Sequence, residues 1–165
     1  MFEQIRENEH FTYRPLSHEL DEVNLRILAA LRGEPRLTMA ELGRRIGMSS
    51  PGVTERVRRL EDSGVIVGYR LDINPSAVGL PVSAYVRVRP NPGSLPRIAQ
   101  LARQIPEVVE CYRVTGEDCF IMKVHIPEVG QLDRLLDQFL LYGSTTTSII
   151  QSTTVSLRPP PIPDW

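Results

Sequence analysis

Apolar positions recur at spacings of three and four through Leu20, Val23, Ile27, Leu28 and Leu31, which predicts one helix with a single apolar face. Ser17 or Asp21 is placed to cap its start, and Gly33 with Pro35 ends it. A second helix follows Leu37. Thr38 and Glu41 stand three apart as in a capping box, and Leu42 and Ile46 supply the apolar side. Gly47 suits the left-handed residue that stops it. Ser49-Ser50-Pro51 opens a third helix, because proline's missing amide costs nothing in a first turn. Val53, Val57 and Leu60 form its inward face and Ser63-Gly64 closes it. Short helices joined by a tight glycine-containing turn make a helix-turn-helix. The β-rich stretch Val65 to Leu71 is long enough for a small wing or a linker strand, and Asn74-Pro75 punctuates it.

The period then changes. Val82, Ala84, Val86 and Val88 alternate with Ser83, Tyr85, Arg87 and Arg89, the mark of a half-buried strand. Ser94 is placed to cap a helix carrying Leu95, Ile98, Leu101, Ala102 and Ile105. Val108 to Val114 reads as a second strand, Thr115 to Asp118 as a turn, and Cys119 to Ile126 as a third strand. A helix with Leu132, Leu135, Leu136, Phe139 and Leu140 ends at Gly143, and Thr145 to Leu157 reads as a fourth strand. The order is β-α-β-β-α-β, a ferredoxin-like sandwich. The fold class is therefore α+β, divided into an arm (1–18), a helix-turn-helix domain (19–70), a linker (71–80), the αβ-sandwich (81–157) and a proline-rich tail (158–165).

Composition narrows the function. The chain has 165 residues, 41% hydrophobic and 24% charged, which is ordinary for a folded protein. It has no apolar run of about 18 residues that would span a membrane. Met1 to His10 carries no apolar secretion core, so a cytoplasmic protein is the expectation. Cys111 and Cys119 match no zinc spacing and read as buried free thiols. The net charge of −1 excludes a strongly basic coat, but charge is unevenly spread. Between Arg36 and Arg70 seven arginines face four acids, an excess of three positive charges. Arginine's fork fits phosphate oxygens and guanine edges. Because recognition helices read bases from their first turns, Ser49, Ser50, Val53 and Thr54 are the candidates for base contact. Arg44, Arg45, Arg56, Arg58 and Arg59 are the candidates for phosphate. The plainer alternative is a solvated helix face held by pairs such as Glu55 with Arg58 or Arg59.

The second half spells out no catalytic set, metal site or phosphate loop, and a non-enzyme without cofactor is the expectation. Its one histidine, His125, reads as a satisfied strand residue. Two polar stretches stand out, Thr115-Gly116-Glu117-Asp118 and the hydroxyl row Ser144 to Ser148. One reading makes them a hairpin turn and an edge strand. The other has them line a pocket for a small zwitterion, with backbone amides for its carboxylate and Glu117 or Asp118 for its ammonium.

Leu20-Asp21 through Ile27-Leu28, Glu41-Leu42, Ile46 to Ser49, Glu55 to Glu61, Gly64 to Ile66, Gly68-Tyr69 and Val114-Thr115-Gly116 together resemble the Lrp/AsnC (feast/famine) family of transcription regulators. The resemblance spans about residues 20 to 157. It implies a winged-helix-like reader of double-stranded DNA, and a RAM/ACT-like sandwich that dimerises and assembles to tetramers or octamers. It also implies an amino-acid effector held between dimers by Gly116, Glu117, Asp118 and Cys119 with Thr145, Thr146, Thr147 and Ser148 of a neighbour. The family's turn often carries aspartate where this chain has Cys119, so Glu117 or Asp118 must take its place or the effector differs. Siroheme decarboxylases resemble the same family, and on this chain such an enzyme would have only His125 with Arg87 or Arg113. A DNA-free amino-acid sensor is the remaining alternative.

Overall fold

A computed structural model describes residues 20–162, which fall into two compact units: 20–70 with 157–162, and 71–156. The arm, with its candidate cap Ser17, lies outside the described residues.

In the first unit, helices α1 (Glu22–Gly33), α2 (Met39–Ile46) and α3 (Ser50–Asp62) close around Ile27, Leu31, Leu42, Ile46, Val53, Val57 and Leu60. Asp21 caps α1, its carboxylate accepting from the Asn24 amide at 2.7 Å. Thr38 and Glu41 make both bonds of the capping box on α2. Gly47 ends that helix at φ 79°, a conformation that favours glycine because it has no Cβ to clash. Ser49 caps α3 with Pro51 in the first turn.

Val65 to Leu71 forms no strand. Val65 and Ile66 pack against the three-helix core, whereas Val67 and Leu71 are almost fully exposed. Their β-propensity finds no neighbouring strand within the described chain, and propensity without a ladder partner does not make a strand. A 3-10 turn at Pro75–Val78 follows.

The second unit is a four-stranded antiparallel sheet of order β2-β3-β1-β4. Its strands are β1 (Val82–Pro90), β2 (Val108–Arg113), β3 (Phe120–Ile126) and β4 (Gly143–Ile149). Helices α4 (Leu95–Gln104) and α5 (Gly130–Leu140) bury one sheet face through Ala84, Val86, Val88, Met122, Val124, Ile98, Leu101, Leu135 and Phe139. Ser94 sits at the α4 N-cap but makes no capping bond with its side chain. The fourth strand is shorter than its apolar pattern suggests and begins earlier. It pairs with β1 from Gly143 opposite Pro90 to Ile149 opposite Ala84, and a last bond from the Ile150 amide to the Ser83 carbonyl ends the ladder next to Val82, the first residue of β1. Gly143 is thus a strand residue lying against the β1 backbone, not a helix stop.

Candidate functional site

On α3 the helical period decides which side chains reach outward. Val53 is fully buried with Val57 and Leu60, so it belongs to the core and cannot touch a base. Ser49, Ser50, Thr54 and Arg58 are all exposed, and the last three share one side of the helix. Thr54 Oγ1 donates to the Ser50 carbonyl at 2.7 Å, which leaves the threonine methyl and oxygen lone pairs outward. Ser49 Oγ accepts from the Gly52 amide at 3.3 Å and keeps its own proton to donate.

The arginines divide by partner. Arg45 pairs with Glu34 at 2.7 Å, Arg59 with Glu55 at 3.1 Å and Arg58 with Asp62 at 3.7 Å, and all six side chains are well exposed. Such pairs are worth about 0–1 kcal/mol, so an incoming phosphate can displace them. Arg44 is exposed in the last turn of α2, beside the charge of Glu41. Arg56 is turned to another task. Its Nη1 donates to Asp21 Oδ2 at 2.6 Å and to Asn24 Oδ1 at 3.0 Å, tying α3 to the start of α1. This contact gives Arg56 a positioning role between α3 and α1, beside the phosphate contact expected of it. Arg58, by contrast, stays in solvent.

The Arg56 guanidinium and the Asn24 amide hold the Asp21 carboxyl below the usual carboxylate range. A depressed carboxylate stabilises the fold above its unfolded pKa, and that contribution is lost as pH falls through the folded one. Asp21→Asn keeps a good helix cap and removes the ion pair. We expect it to cost about 0.5–1 kcal/mol near pH 7, with the difference shrinking in urea melts as pH falls below the ordinary carboxylate range and through the lowered folded pKa. A gap that persists at low pH would mean the pair contributes nothing.

At one end of the sheet, the β2–β3 turn and the start of β4 lie on either side of the end of β1. Gly116 in that turn has φ 112°, again a glycine conformation. The hydroxyl row divides between the two faces. Thr145 and Thr147 pair with buried Val88 and Val86 and face the helices, and Thr147 Oγ1 is buried with no hydrogen-bond partner among the described residues. Ser144, Thr146 and Ser148 pair with Arg89, Arg87 and Tyr85 on the open face. Only this second set shares a surface with the β1 arginines. Cys119 is half-buried, its thiol 3.7 Å from the Gly116 carbonyl, so it braces the turn from behind. Cys111 is exposed on edge strand β2, contrary to the expectation of a buried thiol.

Sequence reasoning missed Arg89. Its Nη2 donates to Glu117 Oε2 at 2.5 Å, and its Nε lies 3.6 Å from Asp118 Oδ1. Alternation along β1 shows that Arg89 faces outward, but only the sheet order brings the turn alongside it. His125 Nδ1 shares a 2.7 Å hydrogen bond with Ser83 Oγ, the geometry of a satisfied strand histidine. Burial and the neighbouring Lys123 push its pKa down. Among the described residues no group of three His, Cys, Asp or Glu is placed to hold a metal ion.

A helix-turn-helix with an outward arginine-bearing third helix, joined in one chain to a split-βαβ unit, defines a DNA-binding regulator of two units. Residues 20–67 match the family model of the winged helix-turn-helix DNA-binding domain, and residues 83–160 that of the Lrp/AsnC ligand binding domain. The chain is 34% identical over 134 residues to the HTH-type transcriptional regulator LrpC of Bacillus subtilis, covering 81% of this chain and 93% of that one. It is 35% identical over 144 residues to the regulator LrpA of Mycobacterium tuberculosis, covering 87% and 93%. The solved structure of B. subtilis LrpC aligns with a TM-score of 0.78 at 33% identity, over 84% of this chain and 99% of that one. A Neisseria meningitidis regulator solved in complex with L-Met aligns at 0.75 and 26% identity, over 83% and 93%. The chain belongs to the Lrp/AsnC family of transcriptional regulators. No helix among the described residues is long and apolar enough to cross a membrane.

Proposed function

We propose that this protein binds double-stranded DNA sequence-specifically, and that an amino acid or related metabolite bound at the sheet end modulates that binding or the protein's assembly. The observation that carries the reading is the outward side of α3. Ser50, Thr54 and Arg58 line up along it in solvent, and the arginine is held only by an exposed ion pair. A base edge and a phosphate can therefore be met from one helix face. Ser49 and the exposed Arg44, Arg45 and Arg59 extend the contact around it.

One such helix reads only a few base pairs, whereas two related by a two-fold read half-sites about 34–36 Å apart. The protein works as a homodimer that assembles further. The open face of the sheet, with exposed Tyr85 and Tyr112, supports this, as does the exposed apolar alternation of Val67, Tyr69, Leu71 and Ile73. For the effector, the support is the charged cluster at the sheet end and the L-Met complex of the Neisseria relative.

The test is binding to genomic fragments that include the protein's own promoter, with and without a pool of amino acids. The same samples are sized by light scattering. Salt-sensitive, sequence-selective binding that shifts with one amino acid is the expected result. Arg58→Ala should weaken binding on every sequence and flatten the logarithmic salt slope by about 1, while Thr54→Ala should relax sequence preference. Equal losses on specific and random DNA for both variants would show that α3 is not the reader. A folded oligomer that binds no DNA at low salt would point to a DNA-free sensor.

A further inference from the structure

The three-helix unit carries an open groove of about 510 Å³ beside the reading side of α3. Leu31, Leu37, Met39 and Tyr69 give it an apolar lining, and Thr54 and Arg58 stand on its rim. An occupant of this groove therefore covers two of the side chains offered to DNA. The same unit includes the proline-rich tail. Arg32, the neighbour of Leu31, donates from Nη1 to the Pro160 carbonyl at 3.4 Å. Residues 151–161 are all exposed, but Ile162, the last described residue, is half-buried. Pro163, Asp164 and Trp165 follow it. Three residues of polyproline-like chain reach about 9 Å, and the groove wall at Leu31 is one residue from Arg32. Trp165 is the chain's single tryptophan and the one aromatic ring of the tail. An indole buries about 150–250 Å² of surface, and a proline-rich segment loses little freedom when it docks. Asp164 brings a carboxylate toward Arg58, whose own partner Asp62 is exposed and 3.7 Å away.

We propose that Trp165 docks in this groove of its own chain and covers the reading side of α3, so that DNA must displace the tail to bind. The consequence for DNA rests on α3 being the reader, whereas the docking itself does not.

Because Trp165 is the only indole, its fluorescence in the full chain reads the groove directly. We expect blue-shifted emission that acrylamide quenches poorly. Met39→Glu puts a charge in the groove at the start of α2, where an acid is favourable to the helix, and should return the emission to that of an indole in water. Saturation with a DNA fragment carrying the protein's own promoter should do the same. Trp165→Ala should bind that fragment about threefold to tenfold more tightly, the factor recovered by a site blocked for roughly two-thirds to nine-tenths of the time. Trp165→Phe should keep part of the block. In dimers joining a Met39→Glu chain to a Trp165→Ala chain, the one indole should be exposed. Shielding there would seat the tail on the other copy and overturn the assignment to its own chain. Water-like emission from the natural protein overturns the docking. A shielded indole with equal DNA affinity in Trp165→Ala overturns the block and leaves the DNA reading standing, whereas no DNA binding by either protein overturns that reading instead.

Discussion

Gly143→Ala is expected to detach β4 from the sheet. A methyl group on Gly143 would overlap the Arg89 carbonyl oxygen and come within 3.0 Å of the Arg89 carbonyl carbon and of Pro90 Cα. All three obstacles are backbone, so no flexible side chain can swing away, and the strands must separate where the ladder begins. Overpacking of this kind costs about 1–3 kcal/mol, and the rigidity here places it at the upper end. For a unit of this size that lowers Tm by roughly 10–20 °C. Gly130→Ala is the control. It lies at the first position of α5, where an added methyl meets nothing within 4 Å, and it should leave Tm nearly unchanged. Because the displaced strand carries Ser144 and lies against Arg89, Gly143→Ala should also abolish any amino-acid response. Equal melting of the two variants would show that the β1–β4 contact is looser than described.

The second large effect is expected at Gly43. This glycine is buried inside α2, and a methyl there would sit 2.8 Å from the Met48 carbonyl oxygen. Met48 belongs to the turn between α2 and α3, and its amide donates to the Gly43 carbonyl at 2.8 Å. The turn is therefore built on the bare backbone of residue 43, and any side chain pushes the start of α3 outward. Gly43→Ala should cost about 1–3 kcal/mol of stability. It should also lower specific DNA affinity by about tenfold or more, since losing one base-reading contact costs about 1–3 kcal/mol. Gly33→Ala ends α1 in open space and should gain a few tenths to about 1 kcal/mol through helix propensity. Unaltered DNA affinity in Gly43→Ala would mean that α3 is placed by the core alone.

The features legible in the sequence share one property: their causes lie within a turn of helix or along one strand. The Thr38–Glu41 box, the glycine at 47, the Ser49-Ser50-Pro51 start and the alternation of Val82 to Arg89 are local, and each forms as its spacing indicates. From these the order of elements and both units follow, and with them the exposed side of α3. What escaped the reading depends on residues far apart in the chain. Arg56 looks like any other arginine of α3 until Asp21, 35 positions earlier, lies beside it. Val65 to Leu71 has the composition of a strand but no neighbour, and β4 stops at Ile149, opposite Ala84 near the start of β1. The hydroxyls from Ser144 to Ser148 look equivalent until the β1 register sends Thr145 and Thr147 toward the helices and the others to the open face. Arg89 meets Glu117 and Asp118 only because β3 lies between β2 and β1. Periodicity and capping are short-range, so most elements, their buried faces and the family could be read from the residues in order. Register and sheet order are set by long-range packing, so which charges meet became visible only once the strands were placed side by side.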